Sequence, residues 1–155
     1  MLVIGGITAC STKKNTFTRR AYHNLTAHYN GYYNGKESLK SGVGELRKKA
    51  AEDYNRVLPV QNLGTEQDAA SLNPYMDKAI EKGVKVIGRH SMYFRNKEYC
   101  RWIDDSYMLI GKAYFFKQDY EMAGRTFDFV MKRYRMNDIK FDAMIWLARN
   151  HTQKE

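Results

Sequence analysis

Between Asp104 and Tyr134 the residues Tyr107, Ile110, Gly111, Tyr114, Ala123, Phe127 and Val130 recur in steps of three and four, interrupted once by Lys117-Gln118-Asp119. This spacing puts large and small side chains on one stripe of each of two successive helices joined by a tight turn. The small residues constrain the arrangement most. Gly111 and Ala123 fall where two helix backbones must approach closely, and Tyr107, Tyr114 and Phe127 are large enough to fill the space on either side. Any amphipathic helical bundle shares the 3.6-residue stripe, so the positions of the small residues are what favour a crossing hairpin.

Those positions resemble the tetratricopeptide repeat, a 34-residue helix-turn-helix unit. A partial second copy begins in Ala143-Met144-Ile145-Trp146-Leu147-Ala148-Arg149, where Leu147 and Ala148 correspond to Ile110 and Gly111. A lone hairpin of this kind cannot bury its apolar stripe. The resemblance therefore implies an all-α chain of antiparallel helical hairpins, an α-solenoid array of which this sequence is the N-terminal part. The repeat is expected at 104–134 and its partial successor at 138–152.

The remaining segments read as helices too. Only two prolines occur in 155 residues, which favours long uninterrupted helices. Tyr22, Leu25, Tyr29 and Tyr32/Tyr33 form one stripe, Asn34-Gly35 reads as a break, and Leu39, Val43, Leu46, Ala50, Tyr54 and Val57 form a second stripe ending at Pro59. This predicts a first hairpin over 17–57. Residues 60–70 read as a loop, and Asn73-Pro74 reads as the opening of a helix over 72–91. The helical domain as a whole spans 17–152.

The N-terminus reads as an address. An apolar stretch, Leu2 to Ala9, ends at Cys10 and is followed at once by Ser11-Thr12-Lys13-Lys14. That is the shape of a secretory signal, and Ile7-Thr8-Ala9-Cys10 resembles the bacterial lipobox. Residues 1–9 are then a signal peptide, Cys10 the lipidated residue and 10–16 a tether. The alternative is a buried first strand from Leu2 to Ile7. Cys100 reads as a packed free thiol.

Chemistry is expected to be absent. His23 and His28 are five apart, which is not the spacing that puts two metal ligands on one helical face. Asp104 and Asp105 are adjacent, so they point about 100° apart and read as a solvated face. Gly42-Val43-Gly44 lacks the pattern of a phosphate loop. No enzyme activity, cofactor, metal or small-molecule substrate is expected. The formal charge of +9 suits nucleic acid, anionic lipid or an acidic protein. Arg19, Arg20, the run Arg47-Lys48-Lys49 and the group Lys132, Arg133 and Arg135 could form a basic surface. The tyrosines sit at core spacing, however, and export would separate the chain from nucleic acid, so no nucleic-acid partner is expected.

Three segments taken together resemble one family. They are Cys10 to Asn15 leading to Tyr22–Asn30, Lys78–Lys82 leading to Arg89–Met92, and Trp102–Tyr107 with Leu109–Tyr114. Their order is similar to the start of the PorW/SprE lipoproteins of Bacteroidota, components of type IX secretion and gliding. The resemblance implies a non-enzymatic scaffold, lipid-anchored through Cys10 on the periplasmic face of the outer membrane, whose partners are other proteins of that machinery.

Overall fold

The computed structural model describes residues 12–49, Asn55 and 63–153. Cys10, the proposed signal segment, and residues 50–54 and 56–57 of the expected hairpin lie outside the described residues. The described chain is all-α apart from one two-residue strand pair. Its elements are α1 (Phe17–Thr26), a π-helical segment (Ala27–Tyr32), α2 (Tyr33–Lys49), α3 (Glu66–His90), β1 (Tyr93–Phe94), β2 (Lys97–Glu98), α4 (Trp102–Phe116), α5 (Tyr120–Arg133) and α6 (Ile139–His151).

The first segment corrects the sequence reading. Asn34-Gly35 does not break the chain, and α1, the π-helical segment and α2 run on as one helix. There is no hairpin turn within Phe17–Lys49. The buried side of this helix is made of small residues: Ala27, Gly31, Gly35, Ser38 and Gly42, with His23 and Leu46 at its ends. Small residues let α3 approach closely, so the tight face is not the most apolar one. A Cβ on Gly35 would lie 2.8 Å from Leu109 Cδ2 and 3.1 Å from Lys82 Cβ. The aromatic stripe read from the sequence points elsewhere: Tyr22, Leu25, Tyr29 and Tyr33 are exposed.

The start of α3 also differs from expectation. Thr65 and Asp68 form a reciprocal capping box: the Thr65 hydroxyl accepts from Asp68 N at 3.2 Å, and the Asp68 carboxylate accepts from Thr65 N at 2.9 Å. That cap, with Glu66 and Asp68 in the first turn, starts the helix well before Asn73-Pro74. Pro74 therefore lies inside α3. It is exposed, as is Ala70, so water can take the carbonyl that the proline leaves without a donor. Ala69, Leu72, Met76 and Ala79 stay buried through the interruption.

The link to α4 is a tight hairpin. Tyr93 pairs with Glu98 and Phe94 with Lys97 across Arg95-Asn96, both of which have positive φ (48° and 61°). That is the two-residue turn whose twist suits paired strands. Beyond it, α4 and α5 form a helical hairpin over the segment 104–134. Gln118 turns the chain at φ 60°, and the Asp119 carboxylate accepts from Met122 N at 3.1 Å to cap α5.

Each helix from α2 onward packs mainly on its neighbour in sequence. Alternate helices differ, however. The π-helical segment and α2 touch α4, and α4 touches α6, with no comparable contact from α3 to α5. The segment Ala27–Lys49, α4 and α6 are therefore called the A helices, and α3 and α5 the B helices. The core between the two layers holds Leu72, Met76, Leu109, Ala113, Phe115 and Phe127, with further small residues around them.

Candidate functional site

The residues singled out from the repeat spacing are placed as follows. Gly111 meets α5 at Phe127: a Cβ there would lie 2.6 Å from Phe127 Cε1. Ala123 and Phe127 are fully buried. Ile110 points the other way, onto Gly83 of α3, where a Cβ would lie 2.7 Å from Ile110 Cγ1. Tyr107 packs on Phe129, ring centroids 4.7 Å apart, and Tyr114 is half-buried against the core. Leu147 is half-buried and reaches Gly124. Ala148, the counterpart of Gly111, is exposed. α6 meets α5 through Ala143, Leu147 and Asn150, and no described helix crosses α6 at Ala148.

The A helices carry a connected strip of rings and charges. His28 stacks on Trp102 with centroids 4.0 Å apart and planes 15° apart, and Tyr32 leans on the same indole at 5.1 Å. Lys36 sits 6.0 Å above Tyr32. On α6, Trp146 has two cations by its ring, Lys112 at 5.2 Å and Arg149 at 5.0 Å. Among the described residues no carboxylate lies within ion-pair distance of Lys36, Lys112 or Arg149. Other cations pair within their helices, as in Glu81–Lys85 at 2.9 Å and Asp128–Lys132 at 2.6 Å on the B helices and Glu45–Lys48 at 2.9 Å on α2, while Arg133 of α5 lies 4.0 Å over the Tyr93 ring. Although Lys36, Lys112 and Arg149 make no direct ion pair among the described residues, Asp105 acts on Lys36 and Lys112 from farther off, as does Asp142 on Lys112; a cation over a ring can still attract a negatively charged partner.

Asp104 and Asp105 correct a second expectation. They do not form a solvated face but are half-buried beside this strip. Burial raises both carboxyls above their ordinary range, and the Asp104 charge adds to the rise at Asp105. Burial likewise lowers Lys112. Tyr32 is pushed up to about 12 by burial and then by Asp105 and Asp104. Both carboxyls act on the Tyr32 phenol, and Asp104 acts on that of Tyr134. Burial raises the phenols of Tyr32, Tyr134 and Tyr107, at Tyr107 against the opposing charge of Arg133, so none is primed to lose a proton near neutral pH.

Sequence spacing missed two further constellations. Glu98 organises the β2–α4 link: one carboxylate oxygen accepts from Met92 N, Tyr99 N and Cys100 N at 2.7, 3.0 and 2.9 Å, and the other accepts from the Ser91 hydroxyl at 2.6 Å. Glu98→Ala strands these donors. Part of the link is open to water, so we expect a loss of about 1–2 kcal/mol in thermal unfolding. The sequence signal for this was slight, a lone glutamate after a turn.

The second constellation is His23, 67 residues from its partner. It is 2% exposed, and its Nδ1 lies 3.0 Å from Nδ1 of His90. One Nδ1 must donate and the other accept. His23 Nε2 is buried without a partner, so the tautomer that leaves a bare lone pair there costs least, and it makes His23 the donor. The Thr26 hydroxyl also lies 3.4 Å from His90 Nδ1, and the Cys100 thiol donates to His23 O at 3.9 Å. Burial pushes the Cys100 thiol up to about 11, so it stays protonated. Burial lowers both imidazoles; Arg19 lowers His23 further, and the facing ring and Arg89 lower His90 further. Folded values below the unfolded 6.5 mean that the clasp stabilises fully above about pH 6.5 and is lost as pH falls below it. The melting temperature is expected to drop between pH 7 and 5, and His90→Gln is expected to flatten that drop.

Among the described residues no cluster of three metal-ligating side chains occurs, and no helix is long and apolar enough to cross a membrane. No protein-family profile matches the chain, and no curated protein matches it.

Proposed function

We propose that this chain is a non-enzymatic helical-repeat scaffold of the tetratricopeptide type that docks other proteins on its A-helix face. The observation that carries this reading is the alternation of contacts, in which A helices touch A helices while the B helices stay apart. Hairpins stacked in that way produce an extended surface lined by A helices. Lys36 over Tyr32, and Lys112 and Arg149 by Trp146, give that surface positive charge set over aromatic rings. The apolar outer side of α6, with Phe141, Met144 and Ile145 exposed, is the kind of face that an array covers with its next helix.

The partners we propose are proteins of a PorW/SprE-type secretion and gliding machine, and the anchor we propose is a lipid on Cys10 at the periplasmic face of the outer membrane. Lipidation holds a protein stably when more than one chain is attached. Intact-mass measurement of protein from its native host is expected to show residues 1–9 removed and Cys10 acylated; an intact Met1 with a free Cys10 thiol would sink the anchor. A basic module resting on anionic lipid is the second reading, favoured by the exposed Phe17, Leu25 and Tyr29 on the first helix. Co-sedimentation of the full chain with anionic vesicles at low salt, with no protein partner retained on the immobilised chain, would favour that reading instead.

A further inference from the structure

Beside the first helix lies an open groove of about 730 Å³. One wall is Phe17, Leu25 and Tyr29, which are 80%, 60% and 60% exposed; Tyr99 and Trp102 stand opposite. Exposed apolar side chains gathered along one concavity mark an interaction site far better than the same residues scattered singly. Three cations, Arg20, Lys97 and Arg101, also line it.

The charge in this groove is unbalanced. Glu98 is the one acid among the lining residues, and both its oxygens are turned inward onto Ser91, Met92, Tyr99 and Cys100. Among the described residues no carboxylate pairs with Arg20, Lys97 or Arg101. The Arg20 guanidinium lies 5.0 Å from the Tyr99 ring centre, and the Lys97 ammonium lies 5.6 Å from it. Two like charges thus share one ring, and Arg20 Nε is buried with no acceptor. The floor is preformed as well: Asn24 Nδ2 donates to Tyr99 O at 3.0 Å, and Asn24 Oδ1 accepts from Arg101 N at 2.8 Å. A ligand therefore meets a fixed surface and orders little of it on binding.

We propose that this groove seats an acidic peptide segment, with an apolar side chain between Leu25 and Trp102 and carboxylates on Arg20, Lys97 and Arg101. The proposal rests on the docking reading of the A-helix face and extends it onto α1 and the β2–α4 link, which meet that face at His28, Tyr29 and Trp102. A bilayer suits the site less well, because the apolar groups line a hollow rather than a crest. Nucleic acid suits it less well, because its phosphates need a longer row of cations.

The test uses the full chain and dye-labelled twelve-residue peptides of alternating glutamate and leucine with a central tryptophan, read by fluorescence anisotropy. The same peptide with lysine for glutamate, anionic vesicles and a single-stranded oligonucleotide serve as competitors. The acidic peptide alone is expected to bind. Arg20→Gln and Lys97→Gln should each weaken it about tenfold without altering thermal unfolding, while Lys132→Gln on α5 leaves it unchanged. Binding that survives both groove variants but is lost in Lys112→Gln and Arg149→Gln would overturn the groove and leave the docking reading standing. Binding of vesicles or oligonucleotide in place of the peptide would overturn both. No binding by any probe would overturn the groove assignment.

Discussion

Phe127→Ala is expected to remove about 3–5 kcal/mol of folding stability, the usual range for emptying a closely packed aromatic site. Phe127 is fully buried and belongs to α5, but it lies against Gly111 of α4 and stacks near Trp146 of α6, centroids 6.0 Å apart. One ring therefore joins three successive helices. The loss is a large share of the 5–15 kcal/mol that usually holds a domain. Denaturant unfolding followed by helical circular dichroism should show the midpoint falling sharply. A change below about 1 kcal/mol would mean that the ring does not occupy the crossing.

Gly111→Leu is expected to be nearly as damaging, at about 3 kcal/mol, for the opposite reason. Its first added carbon would already lie 2.6 Å from Phe127 Cε1 and 2.9 Å from Cδ1, and the buried ring has nowhere to go. Combining the two changes should cost less than their sum, because leucine then enters the space the ring vacates. Gly44 and Gly88 give the contrast within the same molecule. Both lie in helices with nothing within 4 Å of an added Cβ, so alanine at either should raise stability by about 0.5–1 kcal/mol. Equal costs at Gly111 and Gly44 would show that helix propensity, not the crossing, sets the effect.

This contrast also explains what could be read in advance. The α4–α5 hairpin was legible because its small residue and its large residue oppose one another, Gly111 on Phe127. The first helix was misread because its tight face is built from Ala27, Gly31, Gly35 and Gly42, residues that score as breakers or fillers. The conspicuous stripe of Tyr22, Leu25, Tyr29 and Tyr33 is the outward one. Asn34-Gly35 looked like a turn for the same reason. Pro74 looked like a helix start because proline favours the first turn, but the Thr65–Asp68 box begins α3 eight residues before it. The His23–His90 contact and the Glu98 cradle depend on chain pairings that no local spacing encodes. The groove needed both a correction and a coordinate: the exposed stripe of the first helix and the cations that the Lys97–Trp102 segment brings opposite it.

Site-specific photocrosslinking in the native host tests most directly whether the A-helix face is the docking face. A photoreactive residue at Lys36, Lys112 or Arg149 samples that face, and one at Lys85 or Lys132 samples the B helices. Protein crosslinks are expected from the three A-helix positions and none from the two B-helix positions. They are expected to be lost near roughly 0.5 M salt, where screening reaches within a few ångströms. Protein crosslinks from Lys85 and Lys132 with none from the A helices, or crosslinks to lipid alone, would contradict docking on the A-helix face.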